Sequence, residues 1–326
     1  MEYQMLPDLE PMLARLKLRH FRLLTAIADH GSLLKAAEAV AISQPGATKA
    51  LQEIEHAIGH PLFLRTNRGL RANELGHCVV RYARLIQQDM AHLREDMRGI
   101  LDGHGGRLAV GTIMGAVPLL THHLTRLMER NRDIRVELVE DTSANLLALL
   151  DDGRIELAIC RTSVSARPER YVDRRIWEEE LAVVANVAHP LAAGPASLRD
   201  LAESTWIVYA ANMPMRRYLE QEFQAQELRF PTSLVETTSA FATLALLQRN
   251  PDFVALLSTE VANVLSRTQT TTILPVSLPA RSEPYYLVRS EGRTLSPIAG
   301  RFWRDVLERP GAHVEPSSGR SVGADG

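Results

Sequence analysis

Residues 31–65, GSLLKAAEAVAISQPGATKALQEIEHAIGHPLFLR, constrain the fold more than any other stretch of this chain. They describe two short helices joined by a tight turn, with the start of a wing behind them. Ser32 is placed to cap a helix that runs to about Val40, and Leu33, Ala36, Ala37 and Val40 recur there at helical spacing. The paired alanines allow a second helix to approach closely. Ser43 caps the next helix, and Pro45 falls in its first turn, where a missing N–H does no harm. Ala47, Leu51, Ile54 and Ile58 form its buried stripe, and Gly59 is the glycine stop. Leu62, Phe63 and Leu64 anchor the wing. Arg65, Arg68 and Arg71 follow at a regular interval, with Asn67 and Gly69 between them able to take the positive φ of a tight turn.

This is the layout of a helix-turn-helix that sets its second helix in a DNA major groove. Gln44 and Thr48 can hydrogen-bond base edges, and Lys49 can reach a base or a phosphate. Gly46 lets the backbone come close to a surface. The wing arginines suit phosphates or a minor groove. The expected contacts to double-stranded DNA are therefore Ser32, Ser43, Gln44, Pro45, Gly46, Thr48, Lys49, Arg65, Arg68 and Arg71. Charge agrees. The chain carries a net charge of −2, yet the segment 15–72 alone holds nine basic and four acidic residues. A basic end on an otherwise acidic protein fits a DNA-binding domain joined to something that does not bind DNA.

The family that these residues resemble is the LysR-type transcriptional regulators. Leu18, Arg19, His20 and Phe21 begin the match, followed by Gly31, Ser32, Leu33, Ala36, Ala37 and Glu38. Ser43, Gln44, Pro45, Thr48 and Lys49 continue it, and Ile54, Glu55, Gly59, Leu62, Phe63, Arg65, Glu74, Leu75 and Gly76 complete it. Within the family, residues 17–21 and 33–37 resemble the branch of galactose-binding-protein and protocatechuate-pathway regulators. Gly46 stands where alanine is more usual. Asn73 stands where the family often has Thr, and Asn caps a helix equally well.

Residues 74–102 read as one long helix. Leu75, Val79, Tyr82, Ile86, Met90, Leu93, Met97 and Ile100 are spaced three or four apart along it. Such a stripe needs a cover: a second copy of the same helix in a coiled coil, as the resemblance implies, or the chain's own body. Residues 103–106 read as a flexible hinge.

From residue 107 the pattern changes to alternating strands and helices. Strands are expected at 108–112, 134–139 and 155–160, with helices at 117–130 and 143–151. A second set covers 181–187, 198–201, 206–209, 215–225, 232–236, 239–248 and 254–257. Strands at 271–274 and 285–289 and a helix at 297–307 follow. This order implies parallel strands with crossover helices. The resemblance implies a periplasmic-binding-protein-like α/β fold of two subdomains with a small-molecule cleft between them. The expected organisation is a winged helix-turn-helix at 16–73, a linker helix at 74–102 and an effector-binding domain at 107–308. Its first subdomain spans about 107–180 and 280–308, and its second about 181–279. Residues 311–326 are rich in Gly and Ser and read as disordered.

Ligands of open α/β sheets bind beyond the C-terminal ends of strands, near helix starts. That rule selects Thr112, Met114 and Gly115 after the first strand, Arg161 and Thr162 after Cys160, Tyr209 and Asn212 after the Trp206 strand, and Thr238 and Ser239 before the next helix. Hydroxyls and free N–H groups there suit a carboxylate or a sugar, and Arg161 can pair with a carboxylate. The run Glu178, Glu179 and Glu180 reads as solvated or at a hinge. His122 and His123 are adjacent on a helix and diverge, so no metal or other cofactor is expected. No phosphate loop or nucleophile elbow is present, which argues against an enzyme. No apolar run approaches the ~20 residues of a membrane span. Two cysteines and no secretory segment point to a reducing cytoplasm. The expected partners are promoter DNA, a small effector, RNA polymerase and further copies of the chain, as dimer or tetramer. The open alternative is a DNA-binding regulator whose C-terminal body serves only for assembly.

Overall fold

The computed structural model describes residues 6–66, 69–102, 106–211, 213–278 and 282–309. Asn67, Arg68, residues 103–105, Asn212 and the tail 311–326 therefore lie outside the described residues. The chain forms two compact units. One lies within the first 106 residues together with Ala148–Arg154, and the other is built from Arg107–Leu147 and Ile155 onward.

The first unit contains α1 (Leu9–Arg15), α2 (Leu18–His30), α3 (Leu33–Ala39) and α4 (Gln44–Ile58). The hairpin β1 (Phe63–Thr66) and β2 (Gly69–Ala72) follows, then α5 (Glu74–Asp102). The local chemistry is what the sequence requires. The Ser32 hydroxyl accepts from the Lys35 N–H at 3.5 Å, and the Ser43 hydroxyl from the Gly46 N–H at 3.2 Å. Gly31 and Gly59 end their helices in the left-handed conformation, at φ 61° and 80°. Leu24, Ile27, Ala36, Ala37, Ala47, Ile54 and Leu62 meet in a closed core. The wing is tied down by side-chain acceptors. Glu55 Oε1 takes the Leu62 and Phe63 N–H groups at 2.8 and 3.3 Å, and Asn73 caps α5 by accepting from Gly76 N at 2.8 Å.

On α5, Val80 and Ala83 enter this core, and Gln87 donates to Phe21 O and Thr25 Oγ1. Of the predicted apolar stripe, Val79 also packs against this core. Leu75, Tyr82, Met90, Leu93 and Met97 are exposed, and Val79 and Ile86 are half-buried. The Ile100 side chain lies outside the described residues.

The second unit holds two five-stranded sheets. Its elements are β3 (Gly106–Thr112), α6 (Val117–Arg130), β4 (Ile134–Glu140), the first half of α7 (Ser143–Asp151), whose end from Ala148 belongs to the first unit, β5 (Leu157–Cys160) and β6 (Tyr171–Trp177). Then come β7 (Leu181–Asn186), β8 (Thr205–Val208), α8 (Pro214–Ala225), β9 (Leu234–Glu236), α9 (Ala240–Arg249) and β10 (Phe253–Ser258). The last are α10 (Thr259–Ser266), β11 (Thr271–Ile273), β12 (Tyr285–Ser290) and α11 (Pro297–Glu308). The sheet orders are β4-β3-β5-β12-β6 and β11-β7-β10-β8-β9.

The sheets are mixed, which corrects the expectation of parallel strands. β3 with β5, and β8 with both β9 and β10, are parallel, as helical crossovers demand. β12 runs antiparallel to β5 and β6, and β7 runs antiparallel to β10 and β11. The chain passes between the sheets twice, after β6 and before β12, and these passages need no helical crossover. The periodicity reading has no counterpart for α1, α2, β6 or α10. In β6, Asp173, Arg174 and Arg175 interrupt the apolar alternation.

Buried histidines make this fold sensitive to acid. His123 is fully buried, 3.1 Å from Asp305 Oδ2 and edge-on to Phe302. Burial holds His20, His123 and His189 below the ordinary histidine value of 6.5. The folded chain thus binds fewer protons than the unfolded chain near and below that value. The stability these groups confer is present above about pH 6.5 and is lost as the pH falls. The melting temperature is expected to drop between pH 7 and pH 5, and less so in His123→Phe. A flat profile would contradict this.

Candidate functional site

Two surfaces carry chemistry. On the first unit, α4 presents its N-terminal end. Gln44, Pro45, Gly46 and Lys49 are exposed, and Thr48 is half-buried with its hydroxyl donating to Gln44 O at 3.1 Å. Ser32 and Ser43 use an acceptor lone pair for capping, which leaves each O–H free to donate to a phosphate. Arg65 and Arg71 are exposed on the wing. The register pairs Arg65 with Leu70 and Leu64 with Arg71. Paired residues share a face, so the two arginines point to opposite sides of the hairpin. A regular interval in sequence does not make one basic face here.

The wing is held tightly against the end of α2. The Leu70 N–H donates to Gly31 O at 2.7 Å. Gly69 sits at φ +121°, and a Cβ on it would stand 2.2 Å from that same oxygen. Only glycine fits, which gives the turn position a steric reason beyond its backbone freedom.

On the second unit, a cavity of about 420 Å³ opens at the C-terminal ends of β3, β5 and β8. Met114 and Gly115 reach it after β3, Arg161 after β5 and Tyr209 after β8, with Thr238 beside them. The start of α7 contributes Asp141, Thr142 and Ser143, and the start of α8 contributes Met213 and Pro214. Arg161 is only 6 % exposed. Its Nη2 donates to Glu179 Oε2 at 2.5 Å and to Ser282 Oγ at 3.1 Å, and its Nε donates to Glu283 O at 3.1 Å. The guanidinium also stacks 5.0 Å above the Tyr285 ring, and the Tyr285 hydroxyl donates to Glu179 Oε1. One arginine thus links β5 to both passages between the sheets. Burial and the Glu179 charge push the Tyr209 and Tyr285 hydroxyls above the usual tyrosine range, so both stay protonated donors. A second cavity, about 660 Å³, lies against Trp177, Ser258, Thr259 and Tyr285 and shares Glu179 with the first as a wall.

Comparison with known proteins decides what these surfaces belong to. Residues 18–77 match the bacterial regulatory helix-turn-helix proteins of the lysR family, and residues 101–310 match the LysR substrate binding domain. The chain belongs to the LysR family of transcriptional regulators. It is a DNA-binding regulator with an effector-binding domain. It is 32 % identical over 289 residues to the HTH-type transcriptional regulator GbpR of Azospirillum brasilense, covering 88 % of this chain and 84 % of that one. The full-length CbnR structure in complex with its target DNA has the same fold, with a TM-score of 0.62 at 19 % identity over 90 % of this chain and 99 % of that one. The effector-binding domain of QuiR in complex with shikimate matches at a TM-score of 0.51 and 17 % identity, over 64 % of this chain and 97 % of that domain.

In this LysR-family regulator, the structure places Met114, Gly115, Arg161, Tyr209 and Thr238 on the cavity. Thr112 is buried, with its hydroxyl donating to Ile113 O at 3.1 Å. Thr162 turns to Asp173 Oδ2 at 2.5 Å, and the Ser239 hydroxyl caps α9 through Ala242 N at 3.2 Å. These three are structural partners and do not line the cavity. Asn212 and Arg68 lie outside the described residues. Glu179 is the largest correction. The acidic run does sit at a passage between sheets, but Glu179 is 2 % exposed rather than solvated. Its role needs Arg161 and Tyr285 beside it, and neither is near in sequence. Cys160 is core, its thiol pushed up to about 12 by burial, and so is no nucleophile. Among the described residues no helix is long and apolar enough to cross a membrane.

Proposed function

We propose that this LysR-family regulator acts in the cytoplasm as a homodimer or homotetramer, performs no catalysis and changes its grip on promoter DNA when a small molecule fills the cavity around Tyr209. The observation that carries the reading is the exposed N-terminal end of α4 beside a basic wing, on a chain that also holds an α/β cavity at its strand ends. The exposed apolar stripe of α5 supports pairing of two chains through that helix. Two recognition helices would then read half-sites about one helical turn apart. Effector closure of the cleft would change how dimers pair, and with it DNA bending and contact with RNA polymerase.

The test is fluorescence anisotropy at fixed salt, on DNA from upstream of the protein's own gene and on a scrambled copy. A preference of roughly tenfold or more establishes an operator. Equal affinity for both would count against sequence-specific binding at that site.

Two variants separate reading from anchoring. Thr48→Ala is expected to cost about 1 kcal/mol on operator DNA and little on random DNA. The effect is at the low end because the hydroxyl is shared with Gln44 O. Equal losses on both DNAs would remove Thr48 from base reading. Arg65→Ala should weaken both complexes and lower the salt slope by about one unit if it meets a phosphate. An unchanged slope would exclude that contact.

The alternative, a regulator without ligand control, is separated by melting curves with candidate effectors, because a ligand that binds only the native state raises its stability.

A further inference from the structure

We infer that the protein's own carboxylates set the cavity of this regulator against carboxylate ligands, and that it takes an uncharged or cationic molecule rich in hydrogen-bond donors. The inference rests on the reading of this cavity as the effector site and narrows its ligand class.

Among the described residues, Arg161 is the one cation lining the cavity. Its guanidinium is engaged by Glu179, Ser282 and the Glu283 carbonyl. An incoming carboxylate would have to displace Glu179, which Tyr285 holds from its other oxygen. The second place where an anion could settle is the start of α7. There Asp141 Oδ1 already accepts from the Thr142 N–H at 2.7 Å and from Asn145 Nδ2 at 2.8 Å, and Thr142 Oγ1 accepts from the Asn145 N–H at 3.4 Å. The third is the start of α8. Pro214 has no N–H, and the Arg216 and Arg217 N–H groups donate to Met213 O at 3.1 and 3.4 Å. Two of the three guanidinium nitrogens of Arg161 and the helix-start N–H groups just named are therefore engaged from within.

What remains on the wall is acceptor-rich. Glu140, Asp141 and Glu179 face the cavity against a single guanidinium. Glu140 is exposed and makes no hydrogen bond or ion pair among the described residues. The Tyr209 hydroxyl is buried and, among the described residues, donates only to the thioether of Met114, at 3.8 Å. A thioether is a weak acceptor, so this hydroxyl is underused where it stands. An anion would meet like charge on the wall, whereas O–H or N–H donors gain charge-assisted bonds to the carboxylates. Polyols and amines share that donor chemistry.

The experiment uses the full chain, melted and titrated with matched probes on one carbon skeleton: neutral sugars and alditols, the corresponding aldonic and uronic acids, and the corresponding amino sugars. Neutral or amino members are expected to bind at least tenfold more tightly than their acids, and Tyr209→Phe is expected to weaken that binding. A response to sugars alone identifies a polyol ligand, and a response to amino sugars alone identifies an amine. Glu179→Gln, which removes the negative charge beside the guanidinium, is expected to bind the acids at least tenfold more tightly than the parent does. Should Glu179→Gln fail to fold, Glu140→Gln, on an exposed side chain, is expected to shift preference toward the acids, and an unchanged preference counts against the inference. Parent protein that binds acids as tightly as neutral probes overturns the inference and leaves the effector site standing. No binding of either charge, to parent or variants, overturns both.

Discussion

Replacing Arg161 with leucine is expected to lower the stability of the α/β unit by about 3–5 kcal/mol, read as a fall in urea midpoint at unchanged slope. The physical reason lies with the partner left behind. Glu179 is buried against Tyr285, and without the guanidinium it must either hold an uncompensated charge or take up a proton. Glu179→Leu should cost a similar amount, for the mirror-image reason. The double variant should cost clearly less than the two singles together, because no lone charge remains in the wall. It still leaves the Tyr285 hydroxyl without its acceptor, a loss of about 1–3 kcal/mol. Single variants that each lose under about 1 kcal/mol would mean that solvent screens the pair as it does a surface salt bridge.

Gly76→Val is expected to destabilise the helix-turn-helix unit by about 2–3 kcal/mol. Valine would normally be the better helix residue, so propensity predicts the opposite sign. Geometry decides. A Cβ at Gly76 would stand 2.1 Å from Leu62 O, which accepts the Asn73 N–H at 3.0 Å just before α5 begins. The overlap is with backbone, so it cannot be relieved by a rotamer change. It must move β1 or the start of α5, and with it the wing that carries Arg65. DNA affinity should fall in the same variant, although Gly76 itself is buried. A stable variant with parental DNA affinity would show that the α5 start is free to shift.

These two positions mark where sequence reasoning stops. Gly76 belongs to the sequence likeness as one letter among many. Its necessity comes from a carbonyl fourteen positions earlier, brought close by the hairpin. Glu55 is a similar case. It looks like a solvated helix residue, yet it holds the first two N–H groups of the wing. In the cavity, the rule that ligands sit beyond strand ends finds Met114, Gly115, Arg161, Tyr209 and Thr238. It cannot separate them from Thr112, Thr162 and Ser239, whose hydroxyls are spent on neighbours. Strand-end position is a local property, while side-chain direction depends on what packs against it.

Local chemistry was legible over most of the chain, α1, α2, β6 and α10 excepted. Caps at Ser32, Ser43, Asn73 and Ser239, the glycine stop at Gly59, and apolar periodicity each act within a few residues. They specify the helix-turn-helix, the long α5 and most strands without reference to the rest of the chain. The antiparallel β12 and β7, the opposite faces of Arg65 and Arg71, and the pairing of Arg161 with Glu179 depend on segments far apart in sequence. Those are settled only when the sheets assemble, because a buried charge takes whichever partner the packing brings within reach.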